Sequence, residues 1–297
     1  MPAPSRAPAP EAPVSNRECI ACGARAWNAL YRELQRCSAC GFITARRIPE
    51  PAELERLYGE GYFSGEEYAD YAGDRAVHED NFERRYARIE AVAGRLESLF
   101  EIGCAHGFWL ATAARHGVRV AGIDLSADAI AHGRRLGVEA SAGDFATAAI
   151  DEGGWQAVCM WDTLEHLAHP ETYLPRIARM VPKGGWFFAT TGDVGSPLAT
   201  RQGAGWRMIH PPTHLQYFSR DSVARFFARH GFEIAHIESV PMCRSVHGTL
   251  VGLSRFGHGP VKLAARAASA IVPSALTQRM RFTVDLGDIM MVCARRA

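Results

Sequence analysis

From residue 99 the chain alternates short apolar runs with helical repeats. LFEI is a four-residue apolar run, followed by a glycine-bearing loop and then FWLATAARHG, a helix whose Gly117 is placed to end it in the left-handed conformation. VRVAGIDL reads as a second strand, and SADAIAHGRRLG as a helix with Ser126 as N-cap and Gly137 past its end. AVCMWD is a further strand, PETYLPRIARMVPKGG a helix and turn, and WFFATT another strand. Strand, loop and helix at this period predict an α/β fold, a doubly wound parallel sheet whose ligands bind at the carboxyl ends of the strands. Further on, SRDSVARFFARHGF is a covering helix with Ser219 as N-cap and Gly231 past its end. It leads into the strand EIAHIES, and DIMMVCARR supplies a last strand that completes an antiparallel edge.

Ahead of the sheet, NFERRYARIEAVAGRLE places Phe82, Tyr86, Ile89, Ala93 and Leu96 on one helical face, which predicts a covering helix. The segment before it crowds Tyr58, Tyr62, Phe63, Tyr68 and Tyr71 among glycines and acids; these aromatics either dock the N-terminal region onto the main domain or cover a ligand. The expected organisation is a disordered tail over 1–17, a metal ribbon over 18–48, the aromatic connector and covering helix over 49–98, the ligand-binding core over 99–240, a cap or insertion over 241–283, and the last core strand over 284–297. The insertion, rich in arginine and small residues, is a candidate for a substrate-facing cap or a contact between copies in a homo-oligomer.

Composition narrows the function classes. With 33 basic against 32 acidic residues there is no basic excess of the kind phosphate binding demands, which argues against nucleic acid as the main partner. No membrane span is expected, because LAARAASAIVPSAL is interrupted by Arg266 and Pro273 and falls short of the roughly 20 residues a bilayer needs. The Pro/Ala-rich start lacks the order of a secretory signal, so a cytoplasmic location is expected.

Eight cysteines in such a chain point to metal ligands and buried thiols rather than disulfides. Cys19 and Cys22 form one C-x2-C pair and Cys37 and Cys40 another, each followed at once by a glycine, Gly23 and Gly41. Two such turns supply the tetrahedral four-sulfur set that structural Zn2+ prefers, with no open position for chemistry. The alternation in AWNALYREL predicts short hairpin strands between the pairs, hence a zinc ribbon too small to fold without its metal. Cys104, Cys159, Cys243 and Cys293 lack paired spacing and are expected to be buried thiols.

The glycine loop reads FEIGCAHGFWL. Asp124, about 20 residues beyond its first glycine, stands where a carboxylate reaches a ribose diol. A dinucleotide needs G-x-G-x-x-G; here the order is Glu101, Gly103, Ala105, Gly107. Glu101 would repel a diphosphate yet suits the cationic ammonium and sulfonium of S-adenosylmethionine. If position 105 needs a left-handed backbone, alanine there costs on the order of 1 kcal/mol.

Together, FEIGCAHGFWL, VAGIDLS, GDF, CMWDTLEHLAHPETYL and VPKGGWFFATT resemble the class I S-adenosylmethionine-dependent methyltransferases, in the branch that includes the ubiquinone-biosynthesis O-methyltransferases and many sugar and natural-product methyltransferases. The match spans roughly residues 80 to 240. The four-cysteine ribbon and HPPTHLQYFSRDSVARFFARHGF resemble the subset with a zinc-binding N-terminal module. The resemblance implies a seven-stranded Rossmann-like sheet and S-adenosylmethionine as cofactor. It places Glu101, Gly103 and Gly107, with Ala105 between them, along the methionine part, Asp124 and its neighbour Leu125 at the ribose, Asp144 with Phe145 at the adenine, and Trp161 near the adenine.

Methyl transfer to a hydroxyl needs in-line alignment in a dry site and a base near neutral pH. His166 in DTLEHLAHP, and His210 and His214 in HPPTHLQYF, are the candidates. Asp162 and Glu165 with a nearby histidine could bind a metal, as in some quinone O-methyltransferases; otherwise Glu165 anchors the start of a helix. The expected function is therefore methylation of a small-molecule acceptor, on the hydroxyl of a sugar or secondary metabolite. The alternatives are an RNA methyltransferase holding RNA on its ribbon, against which WDTLEH stands in place of an Asn/Asp-Pro-Pro-Tyr/Phe motif, and a recruitment module without catalysis.

Overall fold

The computed structural model describes residues 14–57, 73–256 and 259–297. Most of the expected N-terminal tail and the aromatic connector, with Tyr58, Tyr62, Phe63, Tyr68 and Tyr71, lie outside the described residues. Strands β1 (Trp27–Ala29), β2 (Leu34–Cys37) and β3 (Ile43–Ala45) form the N-terminal ribbon, followed by helices α1 (Pro51–Leu57) and α2 (Arg75–Ala93). The core runs β4 (Ser98–Ile102), α3 (Phe108–Arg115), β5 (Arg119–Asp124), α4 (Ala127–Arg134), β6 (Ala140–Ala142), β7 (Ala157–Trp161), α5 (Leu174–Met180), β8 (Trp186–Gly192), α6 (Pro197–Gln202), β9 (Gln216–Tyr217), α7 (Arg220–Ala228) and β10 (Phe232–Ser239). It ends β11 (Met242–Ser245), α8 (Val246–Phe256), α9 (Gly259–Ile271), α10 (Ser274–Arg279), β12 (Arg281–Val284) and β13 (Ile289–Arg296).

The main sheet has seven strands in the order β10-β13-β8-β7-β4-β5-β6. Strands β8, β7, β4, β5 and β6 are mutually parallel, and β13 is antiparallel to both of its neighbours. The central strands β4 and β7 are buried at every position, which is why AVCMW is apolar throughout and SLFEI everywhere but Ser98 and Glu101, rather than alternating. The chain reverses its winding between β4 and β7, the place where such sheets open for ligands. The terminal strand completes the antiparallel edge region of the sheet, as DIMMVCARR suggested. It inserts between β8 and β10, and β10 is the edge, because the eight-residue β13 pairs along its length with both.

The two faces of the sheet bury separate clusters. Phe100, Ile102, Val158, Met160 and Phe187 point to one face with Phe145, while Leu99, Cys159, Trp161 and Phe188 point to the other with Trp109 and Phe82. Helix α2, carrying Phe82, Tyr86 and Ile89, covers the second face as its spacing predicted. Residues 241–283 lie outside the sheet: β11 and β12 pair antiparallel and bracket the three helices α8 to α10 as a cap seated on α2.

The ribbon is not free-standing. Its three strands take a fourth, β9, from the core, with Ile43 opposite Tyr217 and Thr44 opposite Gln216. Phe42, about 1% exposed, packs tilted against Phe218 at 5.0 Å between ring centres. Leu215 is the joint: its carbonyl accepts from the Ala45 N–H (2.9 Å) and the Thr44 hydroxyl (3.0 Å), while its own N–H donates to the Glu165 carbonyl (2.8 Å). Disrupting the ribbon with Cys40→Ser is therefore expected to lower hydrogen-exchange protection about ten-fold or more at the Ala45 and Leu215 amides, with the amides of β4 and β7 unchanged. Exchange mapped by mass spectrometry checks this.

Candidate active site

The four ribbon cysteines converge. Cys19 and Cys40 sulfurs are 3.6 Å apart, as are those of Cys22 and Cys37, and all four lie within 4.8 Å of one another. Four sulfurs about 2.3 Å from a central zinc sit about 3.8 Å apart, so the donor set fits that ion. Gly23 and Gly41, at φ +83° and +76°, turn the chain left-handed just after each pair, a conformation glycine adopts without penalty. The remaining cysteines, Cys104, Cys159, Cys243 and Cys293, are all buried thiols.

The loop after β4 is built by close approach. Gly103 (φ +77°) lies so near Thr163 that a Cβ there would stand 2.5 Å from its hydroxyl, and a Cβ on Gly107 (φ +72°) would stand 2.8 Å from Val138. Ala105 does adopt the left-handed backbone, at φ +45°. Its N–H donates to Asp124 Oδ2 (2.8 Å) and the Ser126 N–H donates to Oδ1 (2.9 Å), so Asp124, expected at the ribose, also holds the loop. Two charge-assisted bonds offset the strain of order 1 kcal/mol at Ala105. Each carboxylate oxygen keeps a further lone pair for a ligand hydroxyl.

Beneath the loop, strand register sets Glu101 level with Gly122 and Cys159. Glu101 is 2% exposed, and its Oε2 is buried without a hydrogen-bond partner. Burial, and then the charge of Asp124, push its carboxyl well above the usual range. A buried, unpaired carboxylate is costly in a folded protein and is relieved by a cation or a cluster of donors.

The adenine positions are only partly as expected. Asp144 sits in the loop after β6, accepting from the Ala146 N–H and the Tyr173 hydroxyl (2.8 Å). The Phe145 ring, 2% exposed, belongs to the core, stacked on Tyr173 and under the Arg176 guanidinium. Leu125 is 51% exposed beside Asp124. Trp161 is not with them. It packs in the cluster of the opposite face, edge-on to Trp109 and under Arg85, because successive residues of β7 point to opposite faces. Arg85, which the helical pattern of α2 did not single out, is 5% exposed and pairs with Asp162 at 2.7 Å. Burial alone would raise Asp162, but Arg85, with a hydrogen bond from Thr190, holds it below its ordinary range. Asp162 is thereby committed.

The three candidate histidines do come together. His166 and His214 rings are 4.5 Å apart and nearly perpendicular, and His210 lies 3.8 Å from His214. His166 Nδ1 bonds the Thr213 carbonyl (3.0 Å) and His214 Nδ1 the Met208 carbonyl (2.8 Å). A carbonyl only accepts, so both Nδ1 atoms carry the proton and Nε2 is left as the basic nitrogen. Burial pushes His166 down to about 4, and burial followed by the neighbouring histidines pushes His214 down as well. Glu165 does not anchor a helix: both its oxygens are buried without partners. Burial, then Asp162, push it up to about 8. One donor atom each from Glu165, His166 and His214 lies within 4.8 Å of the others, so these three, rather than Asp162, are the set that could hold a divalent ion.

With this geometry in view, the comparisons with known proteins are direct. A family model described as a methyltransferase domain matches residues 73–237. The chain belongs to this methyltransferase domain family. It is 30% identical over 154 residues to the ubiquinone biosynthesis O-methyltransferase of Burkholderia pseudomallei, covering 47% of this chain and 66% of that protein. To the protein of that name in Cupriavidus pinatubonensis it is 27% identical, over 52% and 68% respectively. The chain thus spans just under two thirds of the first of these relatives. The fold is shared with magnesium protoporphyrin IX methyltransferase of Synechocystis PCC 6803, at a TM-score of 0.51 and 13% identity over 84% of this chain and all of that one.

Glu101 makes a signed pH prediction. Its folded-state pKa is raised, so its contribution to stability is full below the ordinary carboxylate range, near pH 4.3, and drains away as pH rises toward the raised value. Glu101→Gln cannot ionise. The melting temperature of the variant minus that of the ligand-free protein is expected to grow as pH rises above about 5, read by thermal scans upward from that pH.

Proposed function

We propose that this chain is an S-adenosylmethionine-dependent methyltransferase that methylates a hydroxyl of a small molecule, a sugar or secondary metabolite, with a structural zinc in its ribbon. The observation that carries the cofactor is the unpartnered, buried Glu101 carboxylate beneath a left-handed loop in a member of the methyltransferase domain family. Such a carboxylate asks for a cation, and S-adenosylmethionine carries an ammonium and a sulfonium beside a ribose. The Synechocystis neighbour, solved with bound S-adenosylhomocysteine, shares this sheet. Oxygen as the acceptor atom is supported by the ubiquinone biosynthesis O-methyltransferases among the relatives.

When bound, the cofactor supplies an electrophilic methyl group. Glu101 would hold the ammonium, the remaining lone pairs of Asp124 the ribose, and Asp144 the adenine amine. Proton removal falls to the Glu165, His166 and His214 cluster, one turn from Thr163, which touches the loop at Gly103. Histidines held neutral with pKa values this low are weak bases, whereas Glu165 near 8 is matched to its task. The histidines orient the acceptor through Nε2, and Glu165 takes the proton.

Calorimetry with S-adenosylmethionine tests the cofactor. Micromolar binding should fall at least about a hundred-fold in Glu101→Gln and in Asp124→Ala, with cooperative melting as the control that each variant folds. Absence of binding to the unaltered protein would end the proposal. With an accepted hydroxyl compound, kcat is expected to rise with pH and level off above about 8 as Glu165 ionises. Glu165→Gln should lower kcat about 100-fold or more and flatten that profile.

A further inference from the structure

The cap carries a combination found nowhere else on the described surface. Of the ten large apolar side chains exposed among the described residues, eight fall between Leu253 and Leu286. Ile271 is 79% and Leu263 69% exposed. On α9, only Ala265 is buried, so the helix turns Leu263, Ala267, Ala270 and Ile271 outward along one side, with Arg266 exposed at its border. An apolar stripe normally faces the core. Here it faces out.

Charge is equally lopsided. Residues 241–284 contain six basic residues, Arg244, Arg255, Lys262, Arg266, Arg279 and Arg281, and no aspartate or glutamate, leaving 27 basic against 32 acidic residues in the rest of the chain. Arg281 pairs with Asp80 of α2 at 2.8 Å and helps to seat the cap. Arg266 and Arg279 are exposed and make no ion pair among the described residues.

We propose that this cap docks flat on an anionic membrane surface, α9 lying in the interface with its apolar stripe among the acyl chains and the arginines at acidic headgroups. An apolar stripe and exposed basic side chains together are the two requirements of interfacial binding, and neither alone suffices; here Arg266 borders the stripe on α9 and Arg279 is exposed on the neighbouring α10. No described helix is long and apolar enough to cross a membrane, so the cap lies on the bilayer rather than spanning it. A second copy fits the face poorly. Two-fold pairing would set the same excess of positive charge against itself: residues 241–284 carry no acid, and the neighbouring Asp285 accepts from the Ser239 hydroxyl. A nucleic acid would use the arginines but leave the apolar stripe in water. The seat is firm: Asn81 of α2 donates to the Cys243 carbonyl (3.1 Å) and accepts from the Cys243 N–H (2.6 Å), so docking would hold the whole sheet at a set angle to the surface.

The test is co-sedimentation of the purified full chain with vesicles of phosphatidylcholine alone, or with about a third phosphatidylglycerol, at low and high salt. Binding to the anionic vesicles only, weakened by salt, is expected. Leu263→Glu with Ile271→Glu, and separately Arg266→Glu with Arg279→Glu, should each lower the partition coefficient about thirty-fold or more. All four side chains are exposed, and unchanged melting temperatures show that the variants fold. Equal binding to neutral vesicles, binding unaffected by either pair, or no binding to any vesicle overturns the proposal. So does a dimer in sedimentation velocity that Leu263→Glu dissolves, or salt-sensitive RNA binding without vesicle binding. None of these outcomes bears on the cofactor site, which calorimetry reads separately.

Discussion

The peptide group of Leu215 holds the molecule's two modules in one geometry. Its carbonyl closes the ribbon sheet and its N–H ties down the turn that carries Glu165 and His166. The same segment presents His214, and Gln216 donates to the carbonyls of Leu167 and Ala168. A ribbon that would be unstable by itself thus gains a fourth strand from the core, and the core gains a rigid backing for its histidines. The coupling runs through backbone bonds, which resist rotation in a way that side-chain contacts do not. This gives a four-cysteine cluster far along the chain a part in the site without any contact with a reacting atom.

Two kinds of acid meet at the carboxyl ends of the strands. Asp162 and Asp124 are satisfied, by Arg85 and Thr190 in one case and by two loop N–H groups in the other. Glu101 and Glu165 are buried with oxygens that find no partner. The first pair is architecture. The second is stored demand, since an unpaired buried acid either keeps its proton or waits for a ligand. The protein carries a standing cost in stability at the two places where the proposed chemistry needs a cation held and a proton removed.

The cap adds a third level of organisation. It interrupts the path from β10 to β13, yet its bracketing strands bring the chain back in register for β13 to slot between β8 and β10. Because α2 packs on the cap at Asn81 and on Asp162 through Arg85, a single helix connects the outward apolar face with the site.

Much of this was legible in the residues themselves. The strand, loop and helix period, the C-x2-C pairs, and the order of Glu101, Gly103, Ala105 and Gly107 with Asp124 are local patterns, fixed by backbone geometry within a few residues, and they announce a doubly wound sheet, a four-cysteine ribbon and a family. The convergence of His166, His210 and His214 was suggested by their place after successive strands. Other features were beyond local reading because they depend on partners far along the chain. DIMMVCARR carries no mark of the two strands it would join, and Trp161 gives no sign of which face it takes. Glu165 looked like a helix anchor until burial removed its partners, and Arg85 looked like one more charge on an amphipathic helix until folding set Asp162 against it. Sequence determined the elements and the kinds of chemistry available. Only the tertiary structure decided which acids are neutralised and which are left wanting, since burial and pairing are properties of the assembled fold rather than of any segment.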